Sequence, residues 1–465
     1  MSKGSDEVGE WATGELAGLS SVEDPRRVAR LTRLLGALRR QPGASLPECC
    51  RSWAEIKAAY RLIESERIDA AAVLDSHGLA TLGRMSTAGT VLVIQDTTSL
   101  DYSGRAATEG LGPIDRKGQW RQGLWLHSQL CVDGAHGMVY GLLDAKLWAR
   151  PTDRKRRVST ERNRLSLGAK ESCRWLDGYA QCVELRRQLK TQVISVADRE
   201  GDIYEVFRHY QPGSADLLVR AQHDRELLGQ NGRVRAWLSA QAVNGYRSVT
   251  LPDRSRNVTL ALRWQRVTIA APVDQRRYHG VTEPVELTVL WAREEHQPAG
   301  LDWMLWSTLE VKNAAEANTL LSYYEQRWQI EVLHRILKSY CRAEQRQLRT
   351  AKRLGLLLVL DLLVAVYVLG LTHAARITPN APADDWLTPG EQQALCVWHT
   401  GPPLTKPLTL SVAVAKLGQL GGHLGRKHDG PPGPKALYRG LAKLLTISDT
   451  WHAAAVYFAA NKTSG

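Results

Sequence analysis

The stretch TVLVIQD (residues 90–96) decides the fold class. Val91 to Ile94 form an apolar run without polar alternation, and Asp96 closes it. Such a run suits a central strand covered on both faces, as in α/β sheets. TQVISVAD (191–198) repeats the pattern and again ends in aspartate, Asp198. A carboxylate at the end of a buried strand must be solvated, paired or bound to a cation. Thr97, Thr98 and Ser99 after Asp96 suit a turn, and Arg199 offers Asp198 an ion-pair partner. Either aspartate alone reads as structural. Two in one chain raise a question.

Working outward, GLWLHSQLCVD (123–133) and MVYGLLDAKLWA (138–149) read as two strands joined by a turn at Gly134–Gly137. Residues 159–190 read as one helix. Val258, Leu260, Leu262 and Trp264 alternate, as do Val285, Leu287, Val289 and Trp291, the period of half-buried strands. A β-rich insert at 210–310 therefore separates Asp198 from the next helix.

That helix is YYEQRWQIEVLHRILK (323–338). At helical periodicity Tyr324, Arg327, Glu331 and Lys338 fall within an arc of about 60°, with Ile330, Leu333 and Leu337 opposite. Alone, such a stripe is most often a solvated face, with Glu331 paired to Arg327 or Arg335. Three sequence-distant carboxylates (Asp96, Asp198 and Glu331) without a histidine cluster describe an oxygen-rich site for Mg²⁺ or Mn²⁺ rather than zinc. Two such ions suit phosphodiester chemistry.

The flanks differ from this core. Residues 1–68 read as a helical module. DPRRVARLTRLLGALRR (24–40) carries six arginines, including Arg27 and Arg30, and no carboxylate after Asp24. A second helix opens with a capping box, Ser52 and Glu55, and presents Lys57, Tyr60 and Arg61. One basic helix also suits a membrane surface; two side by side favour DNA phosphates. GLLLVLDLLVAVYVLGL (355–371) has nearly the length of a membrane span and a basic flank, but Asp361 near its middle marks a buried core helix. Residues 373–465 begin with a linker, then a capping box at Thr388 and Glu391 with Pro389 at the first helical position.

The 465 residues are 43% hydrophobic, include 15 Trp and carry a formal net charge of +13, which favours a polyanionic partner. Seven cysteines without C-x-x-C spacing read as reduced. The opening MSKGSDEVGE lacks an apolar leader core, so a cytoplasmic protein with no membrane association is expected.

Asp96 in IQDTTSLDYS, Asp198 in ADREGDIY and the spacing Tyr324-(2)-Arg327-(3)-Glu331-(6)-Lys338 resemble the IS-four family of bacterial DDE transposases, nearest its cut-and-paste branch of Tn-five type. The likeness extends over nearly the whole chain. It implies an α/β, RNase H-like catalytic core with a β-rich insert (69–372), flanked by helical N-terminal DNA end-binding (1–68) and C-terminal dimerisation (373–465) domains. It makes Asp96, Asp198 and Glu331 the ligands of two Mg²⁺ ions, for which Mn²⁺ can substitute. Tyr324, Arg327 and Lys338 then hold phosphates near the cleaved end, Trp303 stacks on a flipped base, with Trp306 as its rival, and Arg220 lies near the site. The implied partners are double-stranded DNA, as inverted-repeat ends and target, and a second copy of the chain in the paired-end complex. The implied steps are 3′-end nicking, hairpin formation, hairpin opening and strand transfer. A structure-selective nuclease on the same fold and a catalytically silent DNA-binding relic or inhibitor are the alternatives. Glu200 and Asp202 lie within reach of Asp198.

Overall fold

The apolar run at 90–96 becomes the middle of strand β1 (Thr90–Asp101), and alternation along it divides the interior in two. Val91 and Val93 join a cluster with Cys131, Trp175 and Val193 on one face. Leu92 and Ile94 join a larger cluster with Leu130, Ile194 and Leu333 on the other. The computed structural model describes residues 10–461, apart from 20–21, 23, 66, 116–120, 153–158, 231, 252–255, 296, 298–299, 400 and 402–403. Most of the opening stretch read above for a leader lies outside the described residues.

The other strands are β2 (Gly112–Pro113), β3 (Gln122–Asp133), β4 (Val139–Trp148), β5 (Gln192–Ala197), β6 (Asp216–Arg220), β7 (Gly245–Leu251), β8 (Arg256–Ile269), β9 (Val285–Glu294) and β10 (Asp302–Ser307). All belong to one mixed sheet. β4, β3 and β1 pair antiparallel, and β5 and β6 then add in parallel to β1. From β6 the order runs on through β10, β9, β8 and β7, all antiparallel. The order β4-β3-β1-β5-β6 is compatible with an RNase H-like core. Two expectations change here. β1 does not stop at Asp96: it continues five residues, paired with β3 as far as Asp101. Residues 216–220, assigned above to the insert, form the last core strand, because Leu217, Leu218 and Val219 are buried on both faces beside β5. The insert strands extend the core sheet.

Among the described residues, five helices precede the sheet: α1 (Glu10–Glu15), α2 (Pro25–Arg40), α3 (Leu46–Cys49), α4 (Trp53–Glu64) and α5 (Ala70–Arg84). The single helix expected at 159–190 is instead α6 (Ser159–Arg164), a 3₁₀ turn at Leu167–Ala169 and α7 (Cys173–Leu189). The break falls at Ser166–Leu167–Gly168, where serine competes for backbone bonds and glycine weakens the helix. α8 (Tyr204–Arg208), α9 (Val234–Ser239) and α10 (Val273–His279) lie between the later strands. α11 (Ala314–Glu325), α12 (Trp328–Arg335), α13 (Ala351–Ile377), α14 (Pro389–Trp398), α15 (Leu410–Leu420) and α16 (Pro434–Asn461) complete the chain.

α7 covers one face of the core sheet; α12 and α13 lie on the other. α13 is long and apolar enough to cross a membrane, but 94% of its most apolar window is buried inside the protein. Asp361 explains why a carboxylate is tolerated there: Arg346 bonds both of its oxygens, at 2.8 and 2.5 Å. α13 also contacts α2, α4, α5, α15 and α16. Arg39 of α2 is 2% exposed and donates to Glu391 of α14 at 2.7 Å and to the Tyr367 hydroxyl of α13 at 2.9 Å. Glu391 also completes the expected capping box with Thr388. At Ser52 only half of the expected box forms: its hydroxyl accepts from Glu55 N–H, while the Glu55 carboxylate takes Arg51 N–H. All seven cysteines are free.

Candidate active site

Strand parity places the two aspartates. Asp96 shares the side of Leu92 and Ile94, and Asp198 the side of Ile194 and Val196, which is the same face. β1 and β5 are parallel, with Gln95 opposite Ala197, so the next residues along are Asp96 and Asp198. Neighbouring strands stand about 4.8 Å apart, which brings two acids side by side. Thr97 N–H donates to Asp96 at 2.7 Å, and Glu200 N–H donates to Asp198 at 2.8 Å. Burial first and the Asp198 charge second push the Asp96 carboxyl up to about 7, with Glu331 adding to the rise. Burial also raises Asp198. Arg199 is exposed, and Asp198 caps the 3₁₀ turn that begins at Arg199.

Glu331 arrives on α12, which contacts β1. The segment expected as one regular helix is not regular. Its backbone tightens at 325–330, where Arg327 N–H bonds Tyr324 and Ile330 N–H bonds Arg327, and then widens into a π turn at Ile336–Tyr340. A tightened turn advances further per residue than an α-helix. Tyr324 consequently leaves the stripe and is 4% exposed, its hydroxyl buried beside Arg327. Arg327 donates to Glu331 at 2.5 Å, the helix-surface pairing foreseen for an isolated stripe. Burial lowers the Lys338 pKa, against the charges of Glu344 and, less strongly, Asp96. Ile330, Leu333 and Leu337 are fully buried, as their side of the helix requires. The helix is held by Gln329, which donates to the Gly137 carbonyl at 3.1 Å. Gly137 has φ +71°, and a Cβ there would meet Gln326 Oε1 at 2.3 Å.

Among the described residues, no three His, Cys, Asp or Glu side chains are grouped tightly enough to hold a metal ion as they stand. Glu331 is engaged by Arg327 instead. The donor chemistry still fits a hard divalent cation. All three groups are carboxylates, and the Asp96–Asp198 pair carries repulsion that a cation relieves.

Trp303 on β10 is half-buried and packs edge-on to Tyr324, ring centroids 5.8 Å apart. Trp306 is fully buried, so of the two tryptophans only Trp303 has a face to offer. Arg220, at the end of β6, pairs with Leu305 and acts electrostatically on Tyr324. Trp328, not singled out by the sequence, is 58% exposed beside Arg327. Asp202 does not serve Asp198: it is bound to Arg225 and to the backbone N–H groups of Gln222 and His223, 2.7 and 2.8 Å away.

The basic helices are only partly outward-facing. Arg26, Arg30 and Arg33 are exposed and Arg27 partly so, paired with Asp24 at 3.6 Å. Arg39 and Arg40 turn inward. Lys57 is exposed and lies 5.3 Å from the ring centre of Trp53, itself 68% exposed; Tyr60 is half-buried. Residues 9–68 match the family model for transposase DNA-binding. The match supports a transposase role with DNA as partner. It takes in α1 to α4, the part of the chain where the outward-facing arginines lie.

Proposed function

We propose that the chain is a DDE-type, cut-and-paste DNA transposase of the IS-four family, Tn-five type, built on an RNase H-like core and working as a homodimer on two inverted-repeat ends. One observation carries the reading: two aspartates side by side on adjacent parallel strands, on the face where α12 carries Glu331. The N-terminal match supplies the substrate class.

In this reading Asp96, Asp198 and Glu331 hold two Mg²⁺ ions, or Mn²⁺, which stabilise the attacking and leaving oxygens of phosphodiester displacement. The protein's own groups do the rest. Backbone N–H groups of Thr97 and Glu200 fix one oxygen of each aspartate. Arg327 exchanges Glu331 for a DNA phosphate, since a guanidinium fork serves either anion. Tyr324, by its contact with Trp303, couples the helix to the insert strand that presents the stacking platform. Lys338 adds positive charge within electrostatic reach of Asp96. The insert and core share one sheet, so Trp303 and Arg220 are registered to Asp198 through continuous strand pairing.

The test uses purified protein, Mg²⁺, DNA carrying the inverted repeats that flank the reading frame, and a target plasmid. The expected result is end-joined plasmid. Cleavage without joining would leave a nuclease, and end binding without cleavage a DNA-binding relic.

A further inference from the structure

Beneath the two aspartates, on the opposite face of the sheet, one arginine reaches both of their neighbours. Arg174 of α7 donates from Nε to the Thr97 hydroxyl at 2.9 Å and from Nη2 to Glu200 at 2.8 Å. Thr97 and Glu200 are the residues whose N–H groups hold Asp96 and Asp198. The Arg174 side chain is 11% exposed, close to the rings of Trp148 and Trp175.

The link continues into the sheet with a fixed sense. The Gln95 amide oxygen only accepts, so His127 donates to it from Nε2 at 3.2 Å, while the Gln95 amide nitrogen donates to Ser195 at 2.8 Å. A neutral His127 then accepts at Nδ1 from the Thr97 hydroxyl, 2.9 Å away, whose oxygen accepts from Arg174. Burial keeps His127 neutral, its pKa lowered to about 3, which this single-proton arrangement needs. The chain thus spans β3, β1 and β5 and closes on α7. A network in which every donor has one acceptor specifies one geometry.

We infer that Arg174 is a positioning residue: bridging Thr97 and Glu200, it sets the separation of Asp96 and Asp198, and through it the affinity for the divalent cation. Two like charges side by side repel, and the pairing of β1 with β5 ends at Gln95 and Ala197, one residue short of both acids. From the opposite face of the sheet, Arg174 braces β1 at Thr97 against the turn that carries Glu200. The inference rests on the metal-site reading above.

The experiment titrates Mn²⁺ into full-length protein, follows free Mn²⁺ by electron paramagnetic resonance, and records a melting temperature for each variant. Thr97→Val removes the hydroxyl at constant shape, and Thr97→Ser restores it. Thr97→Val and Arg174→Gln should each weaken Mn²⁺ binding about ten-fold, the size expected when a ligand's orienting partner is lost. Thr97→Ser should bind like wild type. The double variant Thr97→Val, Arg174→Gln should be no weaker than the worse single variant, because both cut the same link. If Arg174→Gln fails to fold, the valine–serine pair decides. Unchanged Mn²⁺ affinity in Thr97→Val, with Asp198→Ala weak, overturns the bracing role alone. Equal affinity in wild type and Asp198→Ala overturns the metal site itself and this inference with it.

Discussion

Asp361 and Asp96 make an instructive pair. Both interrupt apolar segments, and both are removed from bulk water. Asp361 lies in α13, 1% exposed, with each oxygen on Arg346. Asp96 lies in β1, more open, with one backbone N–H on its side chain and a second aspartate alongside. The first is satisfied and silent; the second is held in place yet left with excess negative charge. A carboxylate answered on both oxygens by a guanidinium has no capacity for another cation. A carboxylate set beside another acid gains from one.

That contrast breaks most easily at its catalytic end. Asp96→Ala, Asp198→Ala and Glu331→Ala should each reduce strand cleavage to background in a gel assay. Retention of labelled end DNA should persist, because phosphate contacts lie elsewhere. Asp361→Asn should show the reverse pattern, losing about 3–5 kcal/mol of stability in denaturant melts by stranding Arg346. Similar melts for Asp96→Asn and Asp361→Asn would erase the distinction.

Trp303 and Trp306 extend the same logic to aromatics. Trp303→Ala should slow hairpin formation and opening about ten- to hundred-fold, the equivalent of losing one stacked base, while first-strand nicking continues. Trp306→Ala should act through the melting temperature. A nicking defect equal to the hairpin defect would make Trp303 a core residue.

Glu15 tests a satisfied acid by pH. Burial pushes its pKa up, but the His77 hydrogen bond and the His77 and Arg84 charges outweigh it and hold it at about 2, below the ordinary 4.5. A depressed pKa contributes stability above about pH 4.5 that is lost as pH falls towards 2. The gap in melting temperature between wild type and Glu15→Gln should be constant from neutral pH to about 5 and close in stronger acid. The smallest effect belongs to the surface. Arg27→Ala with Arg30→Ala should lower the salt slope of DNA binding by about one unit per lost phosphate contact.

The strands were legible because burial on both faces leaves a plain mark: an unbroken apolar run. Their pairing was not legible: only the parallel register of β1 against β5 puts Asp96 beside Asp198. The helix was less legible. It tightens at 325–330, where Gln329 also bonds Gly137, a residue far away in sequence, and Tyr324 reads outward but folds inward. The arginine helix misleads for a similar reason. Arg30 and Arg39 flank the leucine stripe on opposite sides, and it is Glu391 and Tyr367, far along the chain, that draw the second inside. Arg174 has no local signature either, since one partner comes from β1 and the other from the turn after β5.

The long helix α13 limits how this chain can be taken apart. Residue 372 lies inside it, and its surface is shared among α2, α4, α5, α15 and α16. A protein cut near 372 would lose the last turns of the helix and bare the leucine and valine side chains that α15 and α16 cover. Its failure to hold paired DNA ends would then report a collapsed scaffold as readily as a missing partner surface. Pairing is better probed by single exposed side chains on α16, such as Trp451 or Tyr457, which leave the helix its neighbours.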